Sequence, residues 1–483
     1  MRQIFGWRSI LAVVTLFQVY QSKGQTDHVW TLQRAVQYAQ EHNISIRQNE
    51  LNKRLAELAL QQSRLAQIPN LNVTTAYGRS YGRSVDPTTN QFVRGSYDFL
   101  SASGSADVLL FGWFQRRYNI ERSRYALEAA KADLDQLQDD VSLNVATGYL
   151  RALLAKEQIR VSEKQVELSK AQLDQTRQFV RAGRLPELNA AQLESQLASD
   201  SATLINSISS YNSSILDIRA LLNLDFTVPF EIEAPKISIE DQLNLAAMNP
   251  EMIFAEAARH FGAIKGSEYR ILAAQKGVQT AKAGLLPTLG LNAQFGTNYA
   301  TTYTEIVNAR PTGPQQTPAF IQLGDTTRYP VYQLGFEYET RRIPLGAQLD
   351  NNFRQTISLG VNIPVFNGWQ AQYNLRQARI NLLTNELNRD QATLKLKQDV
   401  YKAYNEALNA IQKYQAARRA VEAARRAYEF ADKRYQLGLT NTVEYLTTQN
   451  NQFISESNLL SAKYDLIFRL KVIDYYLGKE LKM

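Results

Sequence analysis

The sequence contains an internal repeat, in which matching positions of the two halves lie 255 residues apart. Tyr118-Asn119-Ile120 matches Tyr373-Asn374-Leu375, and Gly183 matches Gly438, both at that offset. A register shared over such a distance indicates duplication of one structural unit. Two further pairs keep the same order: Leu110-Phe111-Gly112-Trp113 with Phe366-Asn367-Gly368-Trp369, and Ile68-Pro69-Asn70-Leu71 with Leu286-Pro287-Thr288-Leu289.

Each half is predicted to contain a helix, two strands, a very long helix, a turn and a returning helix. The long helices are predicted over residues 113–180 and 369–436, which contain no proline and are rich in Ala, Leu, Gln, Lys, Arg and Glu. At 1.5 Å per residue, roughly 68 residues reach about 100 Å, so we expect an extended coiled-coil structure. The helices alone would also fit a cytoplasmic coiled-coil scaffold. Apolar residues recur at steps of three and four, as in Ala420, Val421, Ala424, Ala427, Tyr428 and Ala431.

The N-terminus has the features of a signal peptide, predicted over residues 1–24. Arg2 and Arg8 precede a short apolar stretch at 10–19, and cleavage is expected before Gln25. That stretch is too short to span about 30 Å of hydrocarbon, and no later segment offers about 20 consecutive apolar residues. We therefore expect an exported chain with a first repeat at 25–247 and a second at 248–483.

Four segments alternate between apolar and small polar residues, which predicts β-strands. Each repeat has two, over about 71–82 and 99–111 and over about 288–299 and 353–366. The returning helices are predicted over 187–222 and 442–477. The apolar positions of the strands are Leu71, Val73, Tyr77, then Leu100, Ala102, Ala106, Val108, then Leu289, Leu291, Phe295, and finally Ile357, Leu359, Val361, Ile363.

Such alternation suits a transmembrane barrel with lipid outside and water inside. A soluble sandwich would explain the alternation, but not the long helices beside each hairpin. Four strands cannot close a barrel, and open edges are not tolerated in lipid, so several copies must contribute strands. The proline-rich segment at about 301–352 resembles an external loop, although alternation over 331–340 leaves an extra strand open.

Composition excludes several functional classes. The chain has no cysteine, so disulfides and thiolate metal sites are impossible. Its net charge is +8, but the basic residues are dispersed, so we expect no nucleic-acid partner. A glycine-rich phosphate loop, a nucleophile elbow and a histidine–carboxylate metal pattern are all missing. We therefore predict that the protein is not an enzyme and needs no cofactor or metal.

The duplicated hairpins, long helices and glycine turns resemble the TolC-like outer-membrane efflux family over nearly all the mature chain. The most specific segment is 435–446, in which Gly438 is followed six residues later by Glu444 and then by Leu446. The first half matches less well, with Asn189 in the acidic position and Pro186 in the turn. The resemblance implies an α+β membrane protein in the outer membrane: a homotrimer with a shared 12-strand barrel and a helical tunnel in the periplasm. It also implies a periplasmic adaptor, an inner-membrane transporter and outer-membrane lipid as partners.

The resemblance also implies a pore constriction at the periplasmic tip. Glu444 corresponds to an acidic ring and Tyr435 to a latch residue, while Thr440 and Thr447 replace a basic latch and a second acidic ring. A capping box formed by Asn441 and Glu444 is an alternative role for Glu444, and packing at a helix end is an alternative for Tyr435. The predicted constriction residues are Glu444, Tyr435, Thr440, Thr447 and Asn189.

The glycine turns are expected to end the long helices in left-handed conformations. As adaptor-contact tips we predict Ala182, Gly183, Arg184, Leu437, Gly438 and Leu439. The expected function is a passive export channel of a tripartite efflux or type I secretion system. A structural or adhesive surface protein with a barrel anchor is the alternative.

Overall fold

The duplication is visible in the helices of the structure, a computed structural model that describes residues 29–85, 92–233 and 249–479. The predicted signal peptide lies outside the described residues. The two long helices have 67 residues each and begin at Gln115 and Gln370, 255 positions apart. The returning helices begin at Glu187 and Thr442, at the same offset.

The first half contains four helices and four strands among its described residues. In chain order they are β1 Val29–Trp30, α1 Leu32–His42, α2 Ile44–Leu65, β2 Asn70–Val85, β3 Phe92–Phe111, α3 Gln115–Arg181, α4 Glu187–Leu222 and β4 Glu231–Ile232.

The second half repeats this order and adds a hairpin and a short helix between its two sheet strands. In chain order its described elements are α5 Pro250–His260, α6 Gly262–Ala283, β5 Thr288–Ala300, β6 Thr304–Leu323, β7 Thr327–Arg342, α7 Leu345–Asn351, β8 Arg354–Asn362, α8 Gln370–Gln436 and α9 Thr442–Tyr476.

Strands from both halves form one antiparallel sheet in the order β2-β3-β5-β8. Thr74 pairs with Ser103, Ser103 with Gly296, and Gly296 with Arg354, so one row of residues crosses all four strands. Strands β2 and β8 lie at the edges, and each keeps one side unpaired within the chain. Those edges are available to other copies.

Two strand limits differ from the sequence prediction. Strand β3 begins at Phe92 rather than near 99, because β2 and β3 continue as a hairpin past the end of β5, where Phe99 pairs with Ala300. Strand β8 ends at Asn362 rather than at 366. Pro364 follows two residues later, and proline cannot donate a ladder hydrogen bond.

The segment interpreted as an external loop is instead a long hairpin. Strands β6 and β7 form a separate two-stranded sheet with three register shifts. These shifts lie between Ile306 and Asn308, Pro311 and Gly313, and Gln316 and Phe320, beside or across the prolines of β6. In an isolated hairpin an outward N–H needs no strand partner, so β6 tolerates the prolines that argued for a loop.

Helix α7 packs beside the end of β5, beyond Gly296, where β5 is no longer paired with β8. The Gln348 side chain is fully buried, accepts a hydrogen bond from the Ala300 N–H at 3.0 Å and donates to the Ile343 carbonyl at 2.8 Å. Asn352 donates to the Asn298 carbonyl at 2.7 Å. These bonds satisfy backbone groups at the exposed edge of β5.

The chain divides into two compact units. Among the described residues, one comprises 29–54, 129–233, 249–268 and 387–479, and contains α1, α4, α5, α9 and most of α3 and α8, with two hydrophobic cores. In its larger core the buried Tyr149 hydroxyl lies 2.7 Å from the Trp30 carbonyl, beside the parallel pair β1–β4. The other unit comprises 55–128 and 269–386, and holds the four-stranded sheet and the β6–β7 hairpin. Among the described residues, helices that combine the length and the apolar character needed to cross a bilayer are absent.

Candidate functional site: the helical tips and the sheet faces

Both long helices end in the same glycine turn. Gly438 has φ +73°, its N–H donates to the Tyr435 carbonyl at 3.0 Å, and the Leu439 N–H donates to the Arg434 carbonyl at 2.8 Å. Gly183 has φ +70°, with the corresponding bonds to Val180 at 3.0 Å and from Arg184 to Phe179 at 2.9 Å. This is a Schellman ending, in which a left-handed residue lets two orphan carbonyls find donors.

The residues around both glycines project into open space. Leu437 and Leu439 are 73% and 64% exposed, and Ala182 and Arg184 are exposed as well. A Cβ added at Gly183 or Gly438 would meet nothing within 4 Å. The six predicted tip residues therefore form two small exposed surfaces, one of which carries two uncovered leucines.

Glu444 has partners for both its backbone and its carboxylate. Asn441 is the N-cap of α9, and its side chain accepts from the Glu444 N–H at 2.8 Å. The Glu444 carboxylate accepts from the Thr440 hydroxyl at 2.5 Å and lies 3.5 Å from the Arg434 guanidinium. These contacts of the Glu444 carboxylate run across the turn, whereas the cap itself uses the Asn441 side chain.

Tyr435 packs inside the hairpin. Its ring stacks on Tyr445 with centroids 4.4 Å apart and planes at 13°. Its hydroxyl lies 3.3 Å from the Thr176 hydroxyl and 3.4 Å from that of Thr442. In the isolated chain this residue joins α3, α8 and the start of α9.

The remaining predicted constriction residues are less connected. The Thr447 hydroxyl donates to the Val443 carbonyl within α9 at 2.8 Å. Asn189 lies in the first turn of α4, where its N–H donates to the Pro186 carbonyl at 3.1 Å. Within the part of the chain that the structure describes, no hydrogen bond joins Asn189 to Glu444. The chain therefore brings Tyr435, Thr440 and Glu444 together on one hairpin and leaves Asn189 on another.

A row of buried polar residues runs along α3 toward the tip, at steps of three and four. Two of them hold Asp200 of α4: Ser169 donates to its carboxylate at 2.5 Å and Gln165 at 3.3 Å. Gln172 donates to the Tyr445 hydroxyl. Burial raises the pKa of the Tyr445 phenol, so this group remains protonated. The row consists of Ser162, Gln165, Ser169, Gln172 and Thr176.

The two faces of the four-stranded sheet differ in chemistry. One face is apolar, exposed on β2 and β8 and mostly half-buried on β3 and β5, and Gly104 leaves room there for the Phe295 ring, since a Cβ would lie 2.1 Å from it. The opposite face is lined by hydroxyls and amides. The apolar face includes Leu71, Val73, Tyr77, Leu100, Leu291, Phe295, Tyr299, Ile357, Leu359 and Val361, and the polar face includes Asn72, Thr74, Ser101, Ser103, Ser105, Gln294, Asn298 and Thr356.

Two residues of the tip were missed by the sequence reasoning. Arg434, in the last turn of α8, was not included among the predicted constriction residues, yet it forms the ion pair with Glu444. Tyr445 was not singled out, yet it is 1% exposed and its ring contacts those of both Tyr428 and Tyr435. The available signal was their spacing: a tight turn at Gly438 brings residues on either side of it into contact.

Comparison with known proteins gives consistent matches. The sequence model of the outer membrane efflux protein family matches residues 35–224 and 256–478. The pyoverdine export outer membrane protein OpmQ of Pseudomonas putida is 26% identical over 233 residues, 47% of this chain. That match spans 46% of OpmQ, so this chain matches about half the length of its curated relative.

Solved structures match over almost the whole chain. The outer membrane protein VceC of Vibrio cholerae superposes with a TM-score of 0.72 at 15% identity, covering 93% of this chain and 97% of VceC. The open-state outer membrane channel MtrE of Neisseria gonorrhoeae has a TM-score of 0.67 at 17% identity, covering 93% and 89% of the two chains.

The four-stranded sheet and the long helices of this chain therefore form the same fold as these outer-membrane proteins. The chain belongs to the outer membrane efflux protein family and is an outer-membrane protein.

Proposed function

We propose that the protein is a subunit of a trimeric export channel. The observation that carries this proposal is the four-stranded sheet, which has an apolar face, a polar face and two open edges. Three copies joined edge to edge would supply twelve strands, with the apolar faces toward lipid and the polar faces toward a water-filled lumen. Such a conduit moves solutes passively and requires no catalytic residue.

The energy for export would come from an inner-membrane transporter, reached through a periplasmic adaptor. The exposed tips at Gly183 and Gly438 are our candidates for the adaptor contact. Leu437 and Leu439 offer an apolar surface for helical partners. OpmQ is named for pyoverdine export, which supports small molecules as the exported class.

Glu444 is our candidate for a charged constriction. A trimer would bring three copies of the α8–α9 turn into one ring, each with the Arg434, Thr440 and Glu444 cluster. Arg434 offsets part of the carboxylate charge, so the ring would be less cation-selective than three isolated glutamates.

Conductance in planar bilayers tests this function. The purified full-length protein should produce discrete single-channel steps, and cells lacking it should retain a fluorescent dye that expressing cells export. Stable insertion with no conductance and no effect on dye accumulation would instead favour a structural or adhesive protein anchored by a barrel.

A further inference from the structure

The β2–β3 hairpin continues past the end of β5 and carries an arginine-rich surface there. The face of β2 that is apolar within the four-stranded sheet carries Arg79, Tyr81 and Arg83 in this extension. They lie opposite Asp98, Ser96 and Arg94 of β3. Tyr81 and Phe92 are 76% and 69% exposed. The same face therefore changes from aliphatic to aromatic and cationic as the hairpin leaves the sheet.

Two of these arginines face each other, and neither has an acidic partner among the residues that the structure describes. Arg83 is directly opposite Arg94 in the ladder, and like charges in that position are destabilising. Arg79, by contrast, forms an ion pair with Asp98 at 2.6 Å. Within residues 29–85, 92–233 and 249–479, Arg83 contacts the Phe92 ring at 4.5 Å, and neither Arg83 nor Arg94 forms an ion pair. The pair therefore offers two guanidinium groups to an external anion.

The position of the pair along the strand restricts what that anion can be. Tyr77 and Tyr299 lie in one row across the sheet, where an aromatic belt marks the edge of the hydrocarbon. Arg83 is six residues beyond Tyr77, about 20 Å along the strand at 3.3 Å per residue. With a strand tilt of about 40°, this is about 15 Å above the hydrocarbon. A phospholipid headgroup layer is only about 5–8 Å thick.

We propose that Arg83 and Arg94 bind the phosphate groups of a phosphorylated glycolipid in the outer leaflet, whose sugars carry anions farther from the hydrocarbon than a phospholipid does. Tyr81 and Phe92 pack against its sugars, and the two guanidinium groups donate charge-assisted hydrogen bonds to phosphate oxygens. The inference deepens the proposed function, because it rests on the apolar sheet face being turned toward lipid.

Native mass spectrometry of the full-length protein in detergent tests the proposal. The protein is titrated with a rough lipopolysaccharide whose core sugars are phosphorylated, with the same lipopolysaccharide after phosphate removal, and with phosphatidylglycerol. We expect tightest binding of the phosphorylated lipopolysaccharide, weakened about threefold to tenfold by the double substitution Arg83→Gln and Arg94→Gln. Arg83→Lys with Arg94→Lys should retain most of the binding, since both charges remain.

A matched control is Arg328→Gln, which removes an arginine lying 4.4 Å from the Phe320 ring on the other hairpin and should leave binding of the phosphorylated lipopolysaccharide unchanged. Equal binding by wild type and the glutamine variant would overturn the proposal, as would a preference for phosphatidylglycerol. Displacement of the lipopolysaccharide by millimolar inorganic phosphate would also overturn it, because the pair would then take any small phosphate. The same spectra report the oligomer, and bilayer conductance is measured on the same samples. A non-conducting wild type with intact lipid selectivity would refute the channel and not the lipid site.

Discussion

Gly438 holds a backbone conformation that β-branched residues avoid, at φ +73°. A Cβ at this position costs about 1–2 kcal/mol even though the surrounding space is open. Gly438→Val should therefore distort the turn and reduce export while the barrel remains assembled. Dye accumulation in cells, normalised to the amount of oligomer in the outer membrane, measures this effect.

The matched control for that turn is Gly438→Asn, because asparagine tolerates the left-handed region and supports helix endings. It should export nearly as well as wild type. If the valine variant exports normally at equal abundance, the tip takes no part in coupling to an adaptor.

The Glu444 carboxylate provides the second prediction at the residue scale. Glu444→Gln removes its charge while the Asn441 cap, which uses the Glu444 backbone N–H, is preserved. We expect lower cation preference and weaker block by a trivalent cation. Reversal potentials of single channels in a salt gradient are the measurement.

Arg434→Gln is the complementary variant, because it frees the Glu444 carboxylate from its cation and should raise cation preference. Selectivity and block that stay the same in both variants, with the oligomer intact, would place the constriction elsewhere.

Sequence reasoning identified Glu444, Thr440 and Tyr435 through the Gly438 spacing, but not the pairing of Arg434. Which side chains meet across a turn depends on helix rotation, which a motif does not specify.

At the scale of elements, α3 and α4 are joined by buried polar groups as well as apolar contacts. Asp200 is 6% exposed and accepts from Ser169, Gln165 and Gln196. Asp200→Ala leaves buried donors without an acceptor, which costs about 1–3 kcal/mol. Thermal unfolding of the detergent-solubilised protein, followed by circular dichroism, should show a lower midpoint.

Asp200→Asn keeps one acceptor oxygen and should lose less stability than the alanine variant. Equal losses would mean that packing volume, rather than hydrogen bonding, determines the contribution of this position.

The helices were easier to predict than the strands, for physical reasons. Residues 115–181 contain no proline and carry a long apolar period, so the prediction of 113–180 came within two residues at either end. Strand β6 contains Pro311, Pro314 and Pro318, which indicated a loop. Only the alternation over 331–340 in β7 pointed to a strand there. Exposed hairpins bury little apolar surface, so their hydrophobic pattern is weak.

The whole molecule is defined by the two open edges of its sheet. Strands β2 and β8 have no outer partners in one chain, and unpaired edges are not tolerated in lipid. We therefore expect the protein to be extracted from the outer membrane as a trimer that resists mild detergent. Native mass spectrometry counts the copies directly, and a monomer as the main species would exclude a shared barrel.

The number of copies could not be predicted from the residues alone, because two, three or four chains all supply an even number of strands. The expectation of three copies came from the resemblance to the TolC-like outer-membrane efflux family. The alternation of the strands was sufficient to predict which residues share the apolar face, since the same period of two governs every strand of such a sheet.

The equal length of α3 and α8 restricts how such a gene can change. One inserted residue turns every later side chain on a helix by about 100° and moves it 1.5 Å along the axis. An insertion in only one of the two 67-residue helices would put its tip and its buried row out of register with the other half. Tolerated length changes should therefore come as matched insertions or deletions in both halves, near a whole number of heptads, although the two halves are encoded 255 codons apart.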